Sequence, residues 1–263
     1  MTNSVFISRS TDYGKTWILT PFPDITGSCA VNKFLYFSEN EVYCSISKEN
    51  GMNGYIGKWD GFSWSILLSG CGANGMCGNN GNDMYIAGGE YWTGHILYHY
   101  DGVTLTQDLS FPSSVSICDC ISIDSDTNYI LAIDPGLSIA YLYKGKFNSW
   151  GIELSGMDFS GYRTLPSPYW ISNYLWVNKN TREVLLLWQA RGLEPYKRFI
   201  MHFKDEVWTE TELAEAPYDP SYYNIYEGSL GGICAKNTNN ILVTNTHSSL
   251  YSGGGGNYLW RYE

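Results

Sequence analysis

Short runs of aromatic and aliphatic residues recur along this chain, each ending in a charged residue at a turn. Most of them return at intervals of about 40 to 50 residues, the period of stacked or radial repeats, and the last two after 59 residues each. Apolar positions that alternate with polar ones between Gly, Asn and Asp clusters predict strands, not helices. Six segments carry the pattern: residues 5–9, 55–60, 96–101, 140–144, 199–204 and 258–263.

Each of these strands has a predictable neighbour on either side. Trp64, Trp150 and Trp208 follow short turns after three of them and begin a further strand, which predicts a hairpin. Upstream, a polar turn separates two more apolar runs. These upstream turns lie at residues 38–41, 79–83, 124–128, 178–182 and 236–240. The repeated unit therefore has four strands.

A repeat of four antiparallel strands is typical of a β-propeller blade. The chain contains five first-and-second strand pairs but six third strands, because residues 5–9 also fit the pattern. This mismatch predicts that N-terminal and C-terminal strands share one blade and close the ring. The expected fold is a single all-β propeller domain over residues 1–263, with five blades, or six as the alternative.

Composition agrees with short strands and tight turns. The chain holds 22 Tyr, 10 Trp, 10 Phe and 28 Gly, with only 16% charged residues. Its net charge is −10 and Lys and Arg form no cluster, so nucleic acid is not an expected partner. No apolar run is long enough for a signal peptide or membrane insertion. We therefore expect synthesis in the cytoplasm.

The seven cysteines are an odd number in a chain too large to need disulfide staples. Cys118 and Cys120 are separated by one residue, and Cys71 and Cys77 lie six apart. Neither spacing is typical of a zinc site. We expect reduced thiols that fill the core, and no metal.

One motif carries a family resemblance. Residues 10–17 read STDYGKTW and match the pattern Ser-x-Asp-x-Gly-x-Thr-Trp in full. The segment resembles the Asp-box, or BNR repeat, of sialidases and many other propellers, where it forms the turn between the third and fourth strands of a blade. The resemblance implies a structural role, with Asp bonding the backbone, Gly at positive φ and Trp packed between blades. Its residues are Ser10, Asp12, Gly14, Thr16 and Trp17.

The catalytic set of the sialidases is not matched. Those enzymes bind a substrate carboxylate with three arginines and use an activated Tyr and an Asp. This chain has six arginines, of which Arg9 and Arg261 fall in the repeated strand and Arg182 in a turn. We therefore expect no sialidase activity, and the sequence identifies no catalytic residue.

Other candidate chemistry favours structural interpretations. His99 and His202 occupy the same repeat column as Lys58, Arg9 and Arg261, which indicates a strand face. Residues 124–128 begin like a calcium loop but lack the Gly and the later Glu of such a loop. We interpret them as a turn, and we expect no cofactor.

The irregular segments 88–94, 161–169 and 216–228 offer the best candidate binding positions. Loops on a rigid scaffold commonly carry recognition, and flat aromatic faces suit sugars or partner side chains. The alternative is that these aromatic residues pack between blades. The candidates are Tyr91, Trp92, Tyr218, Tyr222, Tyr223 and Tyr226.

These observations predict a non-catalytic recognition or assembly module. Its partner would be a cell-surface glycan or a protein in an assembly, and a phage or viral tail or capsid-surface protein would have this character. The alternative is a glycoside hydrolase or lyase on a propeller scaffold, with paired carboxylates that the sequence does not identify.

Overall fold

The computed structural model describes twelve segments of the chain, and every regular element in them is a β-strand. These segments are residues 4–12, 14–26, 29–48, 54–69, 75–88, 95–134, 139–158, 175–189, 198–213, 229–237, 240–247 and 256–262. The chain divides into two compact units, Met1–Ile117 and Cys118–Glu263, with the boundary inside one strand.

The first unit contains an N-terminal hairpin sheet and two four-stranded sheets. The hairpin sheet consists of β1 (Ser4–Arg9) and β2 (Ile18–Thr26). Sheet I consists of β3 (Cys29–Ser38), β4 (Glu41–Lys48), β5 (Tyr55–Trp59) and β6 (Trp64–Ser69). Sheet II consists of β7 (Met76–Asn80), β8 (Asp83–Gly88), β9 (Ile96–Tyr100) and β10 (Leu105–Ser110).

The second unit contains two four-stranded sheets and one three-stranded sheet. Sheet III consists of β11 (Ser116–Asp124), β12 (Thr127–Asp134), β13 (Ile139–Lys146) and β14 (Ser149–Asp158). Sheet IV consists of β15 (Leu175–Asn178), β16 (Glu183–Gln189), β17 (Arg198–Lys204) and β18 (Val207–Leu213). Sheet V consists of β19 (Ser229–Asn237), β20 (Asn240–His247) and β21 (Gly256–Tyr262).

All of these sheets are antiparallel, and their strands pair in chain order. The arrangement confirms the predicted fold class, an all-β propeller built of four-stranded antiparallel blades, and sheets I to V fit the predicted count of five. The predicted polar turns and third strands fall where the sequence indicated them. Closure of the ring and the single-domain interpretation of residues 1–263 stay predictions.

Within each unit the sheets stack face to face. In the first unit, one apolar cluster joins the hairpin sheet to sheet I, and a second joins sheet I to sheet II. In the second unit, one cluster joins sheet III to sheet IV and another joins sheet IV to sheet V. Each middle sheet therefore buries both of its faces.

Burial on both faces explains the composition of the second strands. Successive side chains of a strand point to opposite faces. In β16, Val184 and Leu186 pack toward sheet III, while Leu185 and Leu187 pack toward sheet V. A strand of this kind needs apolar side chains at every position, so it has a continuous apolar run instead of an alternating pattern.

Candidate functional site

The Asp-box segment forms a closed network of hydrogen bonds between β1 and β2. Asp12 Oδ1 accepts from the Thr16 backbone N–H at 2.8 Å, and Asp12 Oδ2 accepts from the Thr16 hydroxyl at 2.6 Å. The Ser10 hydroxyl donates to Asp12 at 2.8 Å and accepts from the Gly14 N–H at 2.7 Å. Gly14 has a φ of 82°, where glycine is favoured. The motif residues therefore bond mainly to one another.

Trp17 differs from the expectation that it packs between blades. Its side chain is 62% exposed, and its Nε1 donates to the Gly14 carbonyl at 3.1 Å. The indole is held by the turn itself and leaves much of its ring in solvent.

We expect Asp12 to titrate well below an ordinary aspartate. Hydrogen bonds from the Thr16 hydroxyl and N–H, and then from Ser10, lower its pKa from 3.8 to about 2. Because the folded pKa is depressed, the ionised group stabilises the turn above about pH 4, and that contribution is lost as the pH falls to about 2. In an NMR titration, the Thr16 amide should shift with a midpoint near pH 2, and Asp12→Asn should abolish the transition. A midpoint near pH 4 would contradict the hydrogen bonds that Thr16 and Ser10 donate to the Asp12 carboxylate.

The same kind of aspartate turn recurs in the next two sheets. Asp60 Oδ1 accepts from the N–H groups of Phe62 and Ser63, at 2.9 and 2.8 Å, between β5 and β6. Asp101 Oδ1 accepts from Val103 and Thr104, at 2.9 and 2.6 Å, between β9 and β10. These backbone bonds lower the pKa of both carboxyl groups. The corresponding turns of sheets III and IV differ, with Asn148, Asp205 and Glu206 at positive φ.

Gly61 is expected to be intolerant of a side chain. Its φ is 100°, and a Cβ there would overlap the side-chain oxygen of Asn40 from the turn between β3 and β4. Gly61→Ala should therefore lower the free energy of unfolding by about 1–2 kcal/mol in urea denaturation. Gly151→Ala is the matched control, because a Cβ at Gly151 meets nothing within 4 Å. Equal free energies of unfolding for the two variants would contradict the expected backbone strain and steric overlap at position 61.

Lys58 and His99 of the predicted basic column lie on third strands opposite buried tyrosines of the second strands, as does Lys144 in sheet III, whereas His202 faces Leu185. Lys58, His99 and Lys144 are the register partners of Tyr43, Tyr85 and Tyr129. Lys58 Nζ lies 5.4 Å from the Tyr43 ring centroid, and Lys144 Nζ lies 5.7 Å from that of Tyr129. His99 packs on Tyr85 with centroids 5.0 Å apart. These contacts are cation–π and aromatic packing within blades.

Both histidines of this column contact acidic side chains. His99 Nε2 lies 3.0 Å from Asp83 Oδ1, and Asn79 donates to the other oxygen of Asp83 at 3.0 Å. His202 Nε2 lies 3.8 Å from Glu183 Oε1. Burial lowers the pKa of His202. The geometry is that of residues on a packed strand face.

Asp119 is a buried carboxylate that sequence reasoning missed. It lies on β11, is 1% exposed, and accepts from the N–H groups of Cys120 at 2.8 Å and Leu175 at 2.9 Å. The second bond joins the first strand of sheet III to that of sheet IV. No repeat of the residue in the other blades marks it in the sequence.

The candidate calcium loop forms a turn between β11 and β12. Asp124 contacts the Arg182 guanidinium, and Asp126 lies 2.7 Å from Lys146 Nζ. Arg182 also donates to the Thr127 hydroxyl at 3.0 Å. Within the described segments, no group of three or more His, Cys, Asp or Glu side chains is placed to hold a metal ion.

Four described cysteines form no disulfide, and all four are buried: Cys44, Cys77, Cys118 and Cys120. Burial raises the pKa of Cys44 to about 12 and raises that of Cys118 as well. Thiols with raised pKa values are poor nucleophiles at neutral pH. Cys44 and Cys118 belong to the apolar clusters between sheets.

The predicted binding residues lie outside the described segments: Tyr91, Trp92, Tyr218, Tyr222, Tyr223 and Tyr226. The strands that flank them fix where those connections begin and end. Residues 89–95 connect β8 to β9, and residues 214–228 connect β18 to β19. In a four-stranded meander, the turns from the first to the second strand and from the third to the fourth lie at one end of the sheet. The connections from the second to the third strand, and from one sheet to the next, start at the opposite end.

No helix in the described part of the chain has the length and apolar character that crossing a membrane requires.

Comparison with known proteins gives no family. No family model matches the chain, and no curated protein matches it. A solved structure of a GH43 β-1,3-galactosidase is similar, with 11% identity and a TM-score of 0.43 over 87% of this chain and 55% of that one. The N-terminal domain of Nup159 is similar with 12% identity and a TM-score of 0.36, over 88% and 61%. The chain spans less than two thirds of either length, and the fold class rests on its own sheets.

Proposed function

We propose that this chain is a non-catalytic recognition or assembly module that binds a glycan or a protein surface. The observation that carries the proposal is the division between the two ends of each sheet. One end has short turns, which in the first unit are held by their own side chains, as at Asp12, Asp60 and Asp101. The other end bears the longer connections, including those with Tyr91, Trp92 and the tyrosines of residues 218–226. Recognition residues are favoured on loops that a rigid scaffold holds in position.

The network around Asp12 supports a further proposal, that the chain is related to the Asp-box propellers. The turn uses each motif residue in a bond or a backbone conformation that the pattern requires. The role of the motif is structural, so it supports a relationship in fold and gives no information about what the chain binds. The net charge of −10 and the Tyr, Gly and Asn content suit a virion surface protein, which is the setting we propose.

A glycoside hydrolase or lyase is the second candidate, and Asp119 is the observation that favours it. A buried carboxylate on the first strand of a blade is one half of the pair that glycosidases need. Both of its oxygens, however, accept backbone N–H groups. A carboxylate used in this way links strands, so we rank the binding module first.

A glycan array with the purified full chain tests these proposals together. Reducing-sugar products are measured in the same wells as binding. We expect saturable binding to one class of glycan without product. Product release that Asp119→Asn abolishes would replace the binding proposal with the hydrolase. Absence of both signals would remove the glycan and leave a protein surface as the partner.

A further inference from the structure

The equivalent turns of sheets I and II, between the third and fourth strands, each hold an apolar side chain almost wholly in solvent. Phe62 lies at the tip of the turn between β5 and β6, and Val103 at the tip of the turn between β9 and β10. Each side chain is 90% exposed. Exposed apolar groups that lie together mark interaction sites, and these two tips lie at the same end of two sheets that pack against each other.

The backbone of both turns is fixed in the same way. Besides the two N–H groups bonded to its carboxylate, each aspartate donates its own N–H to the carbonyl three residues later, Ser63 at 3.3 Å and Thr104 at 3.2 Å. Gly61 and Gly102 have φ values of 100° and 94° and pack against Asn40 and Asn82. The turns therefore present their tips in one conformation, which reduces the entropic cost of binding.

The Asp-box turn extends this edge. Arg9, at the end of β1, lies with its guanidinium carbon 5.8 Å from the ring centroid of Trp59, at the end of β5. The turns that follow these two residues are therefore neighbours, and Trp17 of the first turn is 62% exposed. We define the turn edge as Trp17, Phe62 and Val103 together with Asp12, Asp60 and Asp101.

The charged side chains of the turn edge indicate what kind of partner surface would bind there. The pKa values of Asp12, Asp60 and Asp101 are all lowered, so each of the three turns carries a negative charge at neutral pH. Glu39, beside Asn40, is also exposed, and Lys15 and Arg9 add two positive charges at the first turn. The three aspartates and Glu39 still outnumber these two cations. Apolar tips beside ionised carboxylates complement a surface that carries apolar and cationic side chains. They suit anionic lipid headgroups poorly.

We propose that the turn edge is a docking site for a protein segment in which apolar and basic side chains alternate. Its apolar side chains pack on Phe62, Val103 and Trp17, and its lysines or arginines face the three aspartates. The site lies at the opposite end of sheets I and II from their longer connections, so it is separate from the connection that carries Tyr91 and Trp92.

A peptide of alternating Leu and Lys, labelled with fluorescein, is the probe. Fluorescence anisotropy should show saturable binding to the full chain, weakened by added NaCl because the attraction is partly ionic. The double variant Phe62→Ser, Val103→Ser should bind at least about tenfold more weakly, as expected when apolar anchors are removed. Ile152→Ser, which removes an exposed apolar side chain of β14, is the matched control and should bind as the wild type does.

Any one of the following results would overturn the proposal. The double variant and the wild type could bind the Leu–Lys peptide equally or not at all, or a Leu–Glu peptide could bind as well. Vesicles of anionic or zwitterionic lipid could retain the wild type and release the double variant, which would assign the edge to a membrane. Sedimentation could show a dimer that the double variant loses, which would assign it to a second copy of the chain. Circular dichroism of both variants verifies that they fold.

Discussion

Replacement of Asp119 by alanine is expected to lower the free energy of unfolding by about 3 kcal/mol, because two buried N–H groups lose a charged acceptor. The donors are the backbone groups of Cys120 and Leu175. Leu175 is itself buried at the start of β15, so solvent does not readily replace the lost bond. Urea denaturation followed by tryptophan fluorescence measures the change.

Asp119→Asn separates the hydrogen bond from the loss of side-chain volume. The amide keeps one oxygen acceptor, so this variant should lose about half as much stability as the alanine variant. If Asp119→Ala unfolds at the same urea concentration as the wild type, the bond from β11 to Leu175 does not hold sheets III and IV together. The Asp119 carboxylate would then have to be explained by another role.

Tyr129→Ala should be still more destabilising, at about 4 kcal/mol, because the ring fills the core between sheets III and IV. Its centroid lies 6.4 Å from that of Phe203, and Lys144 Nζ lies close to both rings. Tyr129→Phe should change stability by less than about 0.5 kcal/mol or increase it, since the buried hydroxyl has no hydrogen-bond partner among the residues that the structure describes. Burial also raises the pKa of this hydroxyl to about 12.

Tyr43 supplies the contrast within the same column. Its hydroxyl donates to Glu41 Oε1 at 3.2 Å, so Tyr43→Phe should cost about 1 kcal/mol. A larger loss for Tyr129→Phe than for Tyr43→Phe, measured in urea, would contradict the assignment of these hydroxyl groups.

Repetition explains why the sheets were predictable from sequence. Every blade needs the same turns and strand faces, so signals that are weak in one segment recur at residues 55–60, 96–101 and 199–204. The basic column was visible for the same reason. Its tyrosine partners follow from register, because Tyr43 and Lys58 face each other only after β4 and β5 pair.

Features that occur once were not predictable. Asp119 depends on the approach of β15 to β11, which lies 56 residues earlier in the chain, and nothing local in the sequence marks it. The exposure of Trp17 was also missed, because the motif fixes its hydrogen bond to Gly14 but not what lies beside the ring. Binding residues depend on connections that differ from blade to blade, so periodicity offers no information about them.

The central claim is that the connections with the aromatic candidates bind the partner. The most direct test measures how tightly loop variants bind the glycan or protein that the wild type binds. Tyr91→Ser with Trp92→Ser removes the aromatic residues of one connection, and Tyr222→Ser with Tyr223→Ser those of another. Val207→Ser is the control, because it removes an exposed apolar side chain from β18, outside the connections. The account predicts that at least one loop variant weakens binding by about tenfold or more while the control does not. Unchanged affinity in both loop variants would contradict it.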